Sequence, residues 1–84
     1  MDIKEIDKAA LQNIMPDGLT PPELMLYHTL AALYVRYRAD AVTKEQGQVL
    51  KKQIINAYKR MNDEYNQFKT ICRQYQAEIK ARYK

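Results

Sequence analysis

The spacing of apolar residues between Ile54 and Ile79 limits what this chain can fold into more than any other feature. Ile54, Tyr58, Met61, Tyr65, Phe68, Cys72, Tyr75 and Ile79 recur at alternating steps of four and three, which is a heptad seam. Neither Pro nor Gly falls between Lys51 and Lys84, so nothing interrupts one continuous helix there. At about 1.5 Å per residue, a helix predicted over 44–82 is a rod on the order of 60 Å, roughly twice the reach of any other segment.

The rest of the chain supplies less than half of what such a rod needs. The 84 residues make a single helical domain, 1–84, near the size at which one core only just suffices. All three prolines precede residue 23 and only two glycines occur, which predicts an all-α chain with helices over about 3–14, 21–39 and 44–82. The first is a short amphipathic helix with Ile3, Ile6, Ala10 and Ile14 on one side and Asp2 placed to cap it. It is too short to hold itself in water and needs a surface to lie on. Pro16, Asp17 and Gly18 then turn the chain. Thr20, Pro21 and Glu23 have the spacing of a capping box with Pro at the first helical position, and Thr43 with Gln46 repeats the box at the third helix. Between them the second helix is apolar on nearly every side. Leu26, Leu30, Leu33 and Tyr37 line one face, while Tyr27, Ala31, Tyr34 and Val35 line another, the pattern of a central helix packed on two flanks. A short turn at 38–43, with Val42 tucked beneath it, makes the second and third helices an antiparallel hairpin.

Enzyme signatures are missing, so a non-enzymatic chain without cofactor or metal is expected. There is no glycine-rich phosphate loop, no pair of Cys or His at metal spacing, and no Ser or Trp. His28 reads as a partly buried, hydrogen-bonded imidazole of the central helix. Cys72, the sole cysteine, excludes an internal disulfide and reads as a small apolar member of the seam. The residues Met1 to Lys8 alternate in charge and carry no apolar core of a signal peptide, and the longest uncharged run, Leu24 to Val35, is too short to span a bilayer. A cytoplasmic protein with no membrane partner is expected. Gly47, in the first turn of the long helix, is read either as tolerated near a fraying end or as making room for a facing helix or a ligand.

Two features remain that can carry function. The second helix can cover the third only from about Gln46 to Glu64, so Tyr65, Phe68, Ile71, Cys72, Tyr75 and Ile79 would face water. The first helix could fold over this strip, a second copy could pair with it, or a different protein could receive it as a helix in a groove. Tyr at successive seam positions is bulky for a tight two-stranded coil and favours a splayed or heterotypic contact. A bend near Asn62 and Asp63, the weakest helix formers, would instead double the tail back. The second feature is charge. Residues 1–50 carry a balance of −2 and residues 51–84 a balance of +6. At 100° per residue, Lys51, Lys52, Lys59, Lys69, Arg73, Lys80 and Lys84 share an arc of about 100° beside the seam. That row suits either a phosphate backbone, with Tyr stacking on bases, or an acidic protein surface. The residues expected to meet a protein partner are Tyr65, Phe68, Lys69, Cys72, Arg73, Tyr75, Ile79 and Lys80.

The run YRADAVTKEQGQVLKKQI, Tyr37 to Ile54, resembles the helix, short turn and "(I/V)T-x-E" helix start of short C-terminal (SHOCT-like) hairpin modules, and implies the same antiparallel hairpin. The wider layout from Met15 to Arg60, MPDGLTPPE, apolar helix, YR, turn, TKEQG and long basic helix, resembles small helical accessory proteins of Firmicutes phages and prophages. That second resemblance implies a host-directed binding factor in the host cytoplasm, of the kind that includes anti-CRISPR-like inhibitors of defence systems. Its partner would be a host protein, for example a nucleic-acid-handling effector. Direct nucleic-acid binding and self-assembly into a homodimer or larger helical structure are the alternatives.

Overall fold

Thr20 begins the central helix as its sequence dictates. Its hydroxyl accepts from the Glu23 amide at 3.4 Å, and the Glu23 carboxylate accepts from the Thr20 amide at 2.9 Å. In the computed structural model, which describes residues 1–82, this helix is the second of three. The elements are α1 (Ile3–Gln12), α2 (Pro21–Arg38) and α3 (Lys44–Arg82), making an all-α chain. The Thr43 and Gln46 box that opens α3 is also closed in both directions, at 3.2 and 3.0 Å.

Helix ends fall where single residues leave the right-handed region. Asn13 adopts φ 58° and Asp40 φ 56°. Around each, the amide of the following residue reaches back five positions, Ile14 to the Ala9 carbonyl and Ala41 to the Arg36 carbonyl. These are Schellman turns built on Asn and Asp in place of Gly. Asn13 therefore stops α1 at Gln12, two residues short of the expected Ile14, and leaves Ile14 exposed. Asp40 similarly closes α2 at Arg38, one residue short of Ala39. Gly18 supplies the remaining positive φ, 75°, in the connection that leads to Thr20. The Asp2 backbone starts α1, but its side chain makes no capping bond.

Contacts fix the directions of the helices. Tyr37, Tyr34 and Leu33 near the end of α2 lie beside Lys44, Gly47 and Lys51 at the start of α3, while Met25, Leu26 and Thr29 lie beside Ile54, Tyr58 and Met61. The pair is antiparallel. By contrast α1 runs parallel to α2, because Met1 reaches Glu23, Asp7 reaches Tyr34 and Leu11 reaches Arg38. A parallel neighbour requires the chain to travel back the length of α1, which the connection from Asn13 to Thr20 does. Ile6, Ala10, Leu26, Tyr27, Leu30 and Tyr58 form the buried cluster, with Ile6 and Leu30 fully enclosed. Each such aliphatic side chain contributes on the order of 2 kcal/mol.

Nothing bends α3. The molecule measures 60 × 23 × 17 Å with a radius of gyration of 17.1 Å, against about 12 Å for a compact chain of this length. A straight helix of 39 residues spans about 58 Å, so α3 alone sets the long dimension. Asn62 and Asp63 lie within that unbroken helix.

Two expectations about α2 are corrected. α1 and α3 do pack on two flanks, but Val35 and Tyr37, expected on the packed faces, are about half exposed, as is Met25 on the open third side of the helix. His28 is exposed and stands edge-on to Tyr27 at 5.4 Å, with no hydrogen bond to its ring nitrogens.

Candidate functional site

The seam divides at the point where the head of the molecule ends. Tyr58 is buried at 8% exposure, and Ile54 and Met61 are half-buried under α2. Met1, Asp2 and Ile3 reach as far along α3 as Asn62 and Asp63. Past that line no other helix touches α3 among the described residues. Phe68 is 66% exposed and Tyr75 63%, with Ile79 and Ile71 exposed beside them. Tyr65 and Cys72 are half-buried. The first helix, one of the three candidate covers for this strip, lies on α2 instead.

The strip continues into a groove of the head. Met25, Leu26, Thr29, Ile54, Ala57, Tyr58 and Met61 line a shallow apolar trough between α2 and α3. On the helical wheel Ala57 and Met61 share the azimuth of Phe68, Tyr75 and Ile79, within about 40°. A single apolar edge thus runs from Met25 toward the free end of the rod.

The basic row lies on the other side of that edge, the side on which α1 packs. Its members are not equivalent. Lys51 is committed to the fold: Nζ pairs with Asp7 Oδ2 at 2.6 Å and sits 5.9 Å from the Tyr34 ring, while the Tyr34 hydroxyl donates to Asp7 Oδ1. The Asp7 contact holds the Lys51 ammonium above its ordinary pKa, and burial followed by the Asp7 contact pushes the Tyr34 phenol up. This cluster ties all three helices together, and Lys51 is therefore half-buried at the junction. Lys52, Lys59, Lys69, Arg73 and Lys80 are exposed. Among these, Lys69 leans on the strip, its Nζ lying 5.9 Å from the Tyr65 ring centre. Lys84 lies outside the described residues.

Sequence reasoning missed the Asp7, Tyr34 and Lys51 cluster and the Met1 ammonium on Glu23, at 2.6 Å. Both join residues more than twenty positions apart, and no local spacing announces them. Other chemistry is sparse. No group of His, Cys, Asp or Glu among the described residues is arranged to hold a metal ion. Cys72 lies about 16 Å along the rod beyond Met61, the last α3 residue of the groove that α2 lines, so His28 and Cys72 are not brought together. No described helix is long and apolar enough to cross a membrane.

Fold and surface together define an all-α chain in which a three-helix head carries a projecting helix with an apolar edge and a basic flank. No family model, no characterised protein and no solved structure matches it.

Proposed function

We propose that this protein is a non-enzymatic binding factor that docks on another polypeptide through the distal half of α3, Tyr65, Phe68, Cys72, Tyr75 and Ile79 supplying apolar contact and Lys69, Arg73 and Lys80 engaging acidic groups. The observation that carries this reading is the exposure of Phe68, Ile71, Tyr75 and Ile79 on one side of a helix with nothing among the described residues to cover them. The layout it shares with small phage accessory proteins supports a host protein in the host cytoplasm as the acidic partner. A nucleic-acid-handling effector that presents an acidic surface to the Lys69, Arg73 and Lys80 flank fits that chemistry.

Photo-crosslinking from inside producing cells tests it. A photoreactive residue at Tyr75 or Arg73 is expected to give a discrete adduct, and one at Val35 on the head to give none. If positions 73 and 75 both stay free of adduct, the reading is lost.

One observation favours a second reading, direct nucleic-acid binding: Lys52, Lys59, Lys69, Arg73 and Lys80 are exposed along one side of a rigid rod. That reading requires DNA or RNA retention that falls steeply with salt and disappears when Lys69, Arg73 and Lys80 are replaced by Glu. Retention insensitive to those replacements would place the contact elsewhere.

A further inference from the structure

We infer that the occupant of the strip is a second copy of this chain, the two α3 rods running parallel and in register. This rests on the reading of the strip as a protein-binding surface and names what covers it. Lys52, Lys59, Arg73 and Lys80 then stay free for an acidic partner, on the outside of the paired rods.

The charges beside the strip choose both the occupant and its direction. In the heptad frame Tyr65, Cys72 and Ile79 take the first seam position, and Met61, Phe68 and Tyr75 the second. Glu64 and Lys69 stand immediately outside the seam, and both are exposed. In a parallel pair the flank residue before one seam position faces the residue five places further on in the other helix. Glu64 therefore meets Lys69 of the second copy, and the twofold axis makes the same contact twice. An antiparallel pair does the opposite, setting Lys69 against its own copy and Glu64 against Glu78.

Size is consistent with a self-interface. Phe68 and Tyr75 are each about two-thirds exposed, and Ile71 and Ile79 about half. Covering them removes on the order of 500 Å² per copy, or about 1,000 Å² for the pair, the lower limit for a specific interface. The trough beside Met25, Ala57 and Met61 extends the same edge into the head, where a straight second rod would continue to lie, and adds to that area. Tyr65, Phe68 and Tyr75 are wider than the leucines of a tight coil, so the rods stand further apart, and the two tyrosine hydroxyls reach water at the margin. An unrelated helix could fill the strip as well, but nothing in the molecule selects it, whereas Glu64 and Lys69 select a copy of themselves.

Light scattering on the intact chain is expected to give twice the 9.9 kDa monomer mass, and Phe68→Asp to return the monomer with its helical signal retained. Reversing one charge tests direction. Glu64→Lys and Lys69→Glu should each weaken association roughly tenfold, and the two together should restore it. Three results overturn the inference: a chain that remains monomeric at its highest soluble concentration, a dimer indifferent to both reversals, and a dimer tightened by Glu64→Lys, as the antiparallel arrangement requires. The first of these leaves the wider binding reading standing, since an Arg73 adduct in cells does not depend on self-association.

Discussion

Glu23 shows how much one side chain can do in a chain this small. It is 6% exposed and closes the Thr20 box while accepting the Met1 ammonium. That ammonium, then the Thr20 amide, holds its carboxyl below the ordinary value of 4.5. Hydrogen bonding to Glu23 in turn raises the ammonium above its ordinary 8.0. The signs follow from linkage. A depressed carboxyl contributes stability that is present above 4.5 and lost as pH falls through the lower folded value. A raised ammonium contributes stability that is complete below 8.0 and lost as pH rises through the higher folded value. Thermal stability should therefore peak between these two limits, and Glu23→Gln should lower the melting temperature within that window and flatten both edges. Circular-dichroism melts across the range check this; a variant whose profile runs parallel to the parent would show that Glu23 does not set it. The box itself was legible, since Thr, Pro and Glu at that spacing bond within one turn. Its third partner was not. Met1 arrives from across the molecule, as do Asp7 and Lys51, and long-range polar pairs leave no periodic trace.

At the scale of elements, α3 reads well because one rule governs its whole length, and α2 reads less well because it depends on what packs against it. An apolar pattern on nearly every side does not tell which sides are covered: α1 and α3 pack on two of them, and the third leaves Met25 and Val35 bare. The end of α1 was also hidden, since the Ile14 position fits the apolar period and only the left-handed Asn13 stops the helix. Gly47 admits two readings from sequence alone. A Cβ there would meet only Tyr37 Cδ2, at 3.8 Å, which is ordinary contact and leaves room for a larger residue. Gly47→Ala should accordingly raise stability by about 0.5–1 kcal/mol in a denaturant titration, and a loss would reveal a closer neighbour. The seam makes a sharper test. In the monomeric Phe68→Asp variant, Tyr58→Ala removes a buried ring and should cost about 3 kcal/mol, whereas Tyr75→Ala should leave the unfolding of the head within about 0.5 kcal/mol of that variant. Equal losses at the two positions would mean that the distal strip is covered by its own chain.

For the molecule as a whole, the consequence of a 60 Å rod on a short scaffold is that stability is uneven along it. Among the described residues, the contacts that other helices make with α3 lie before Glu64, including Ile54 and Tyr58 in the packed cluster and Asn62 and Asp63 beside the N-terminal residues. From Glu64 onward a single copy holds the helix by propensity and neighbouring side chains alone, and an isolated helix of about twenty residues is marginal in water. Amide exchange should therefore rise sharply between Met61 and Phe68 in the monomeric Phe68→Asp variant. A chain ending at Glu64 should keep the melting temperature of that variant, because it loses no contact of the head. Pairing of the rods adds a second signature. Dimerisation makes the melting temperature of the full chain rise with protein concentration, while that of the shortened chain stays constant. If the shortened chain instead lost its helical signal, the head would not be a folding unit independent of the rod, and the division of α3 at Glu64 would fall with it.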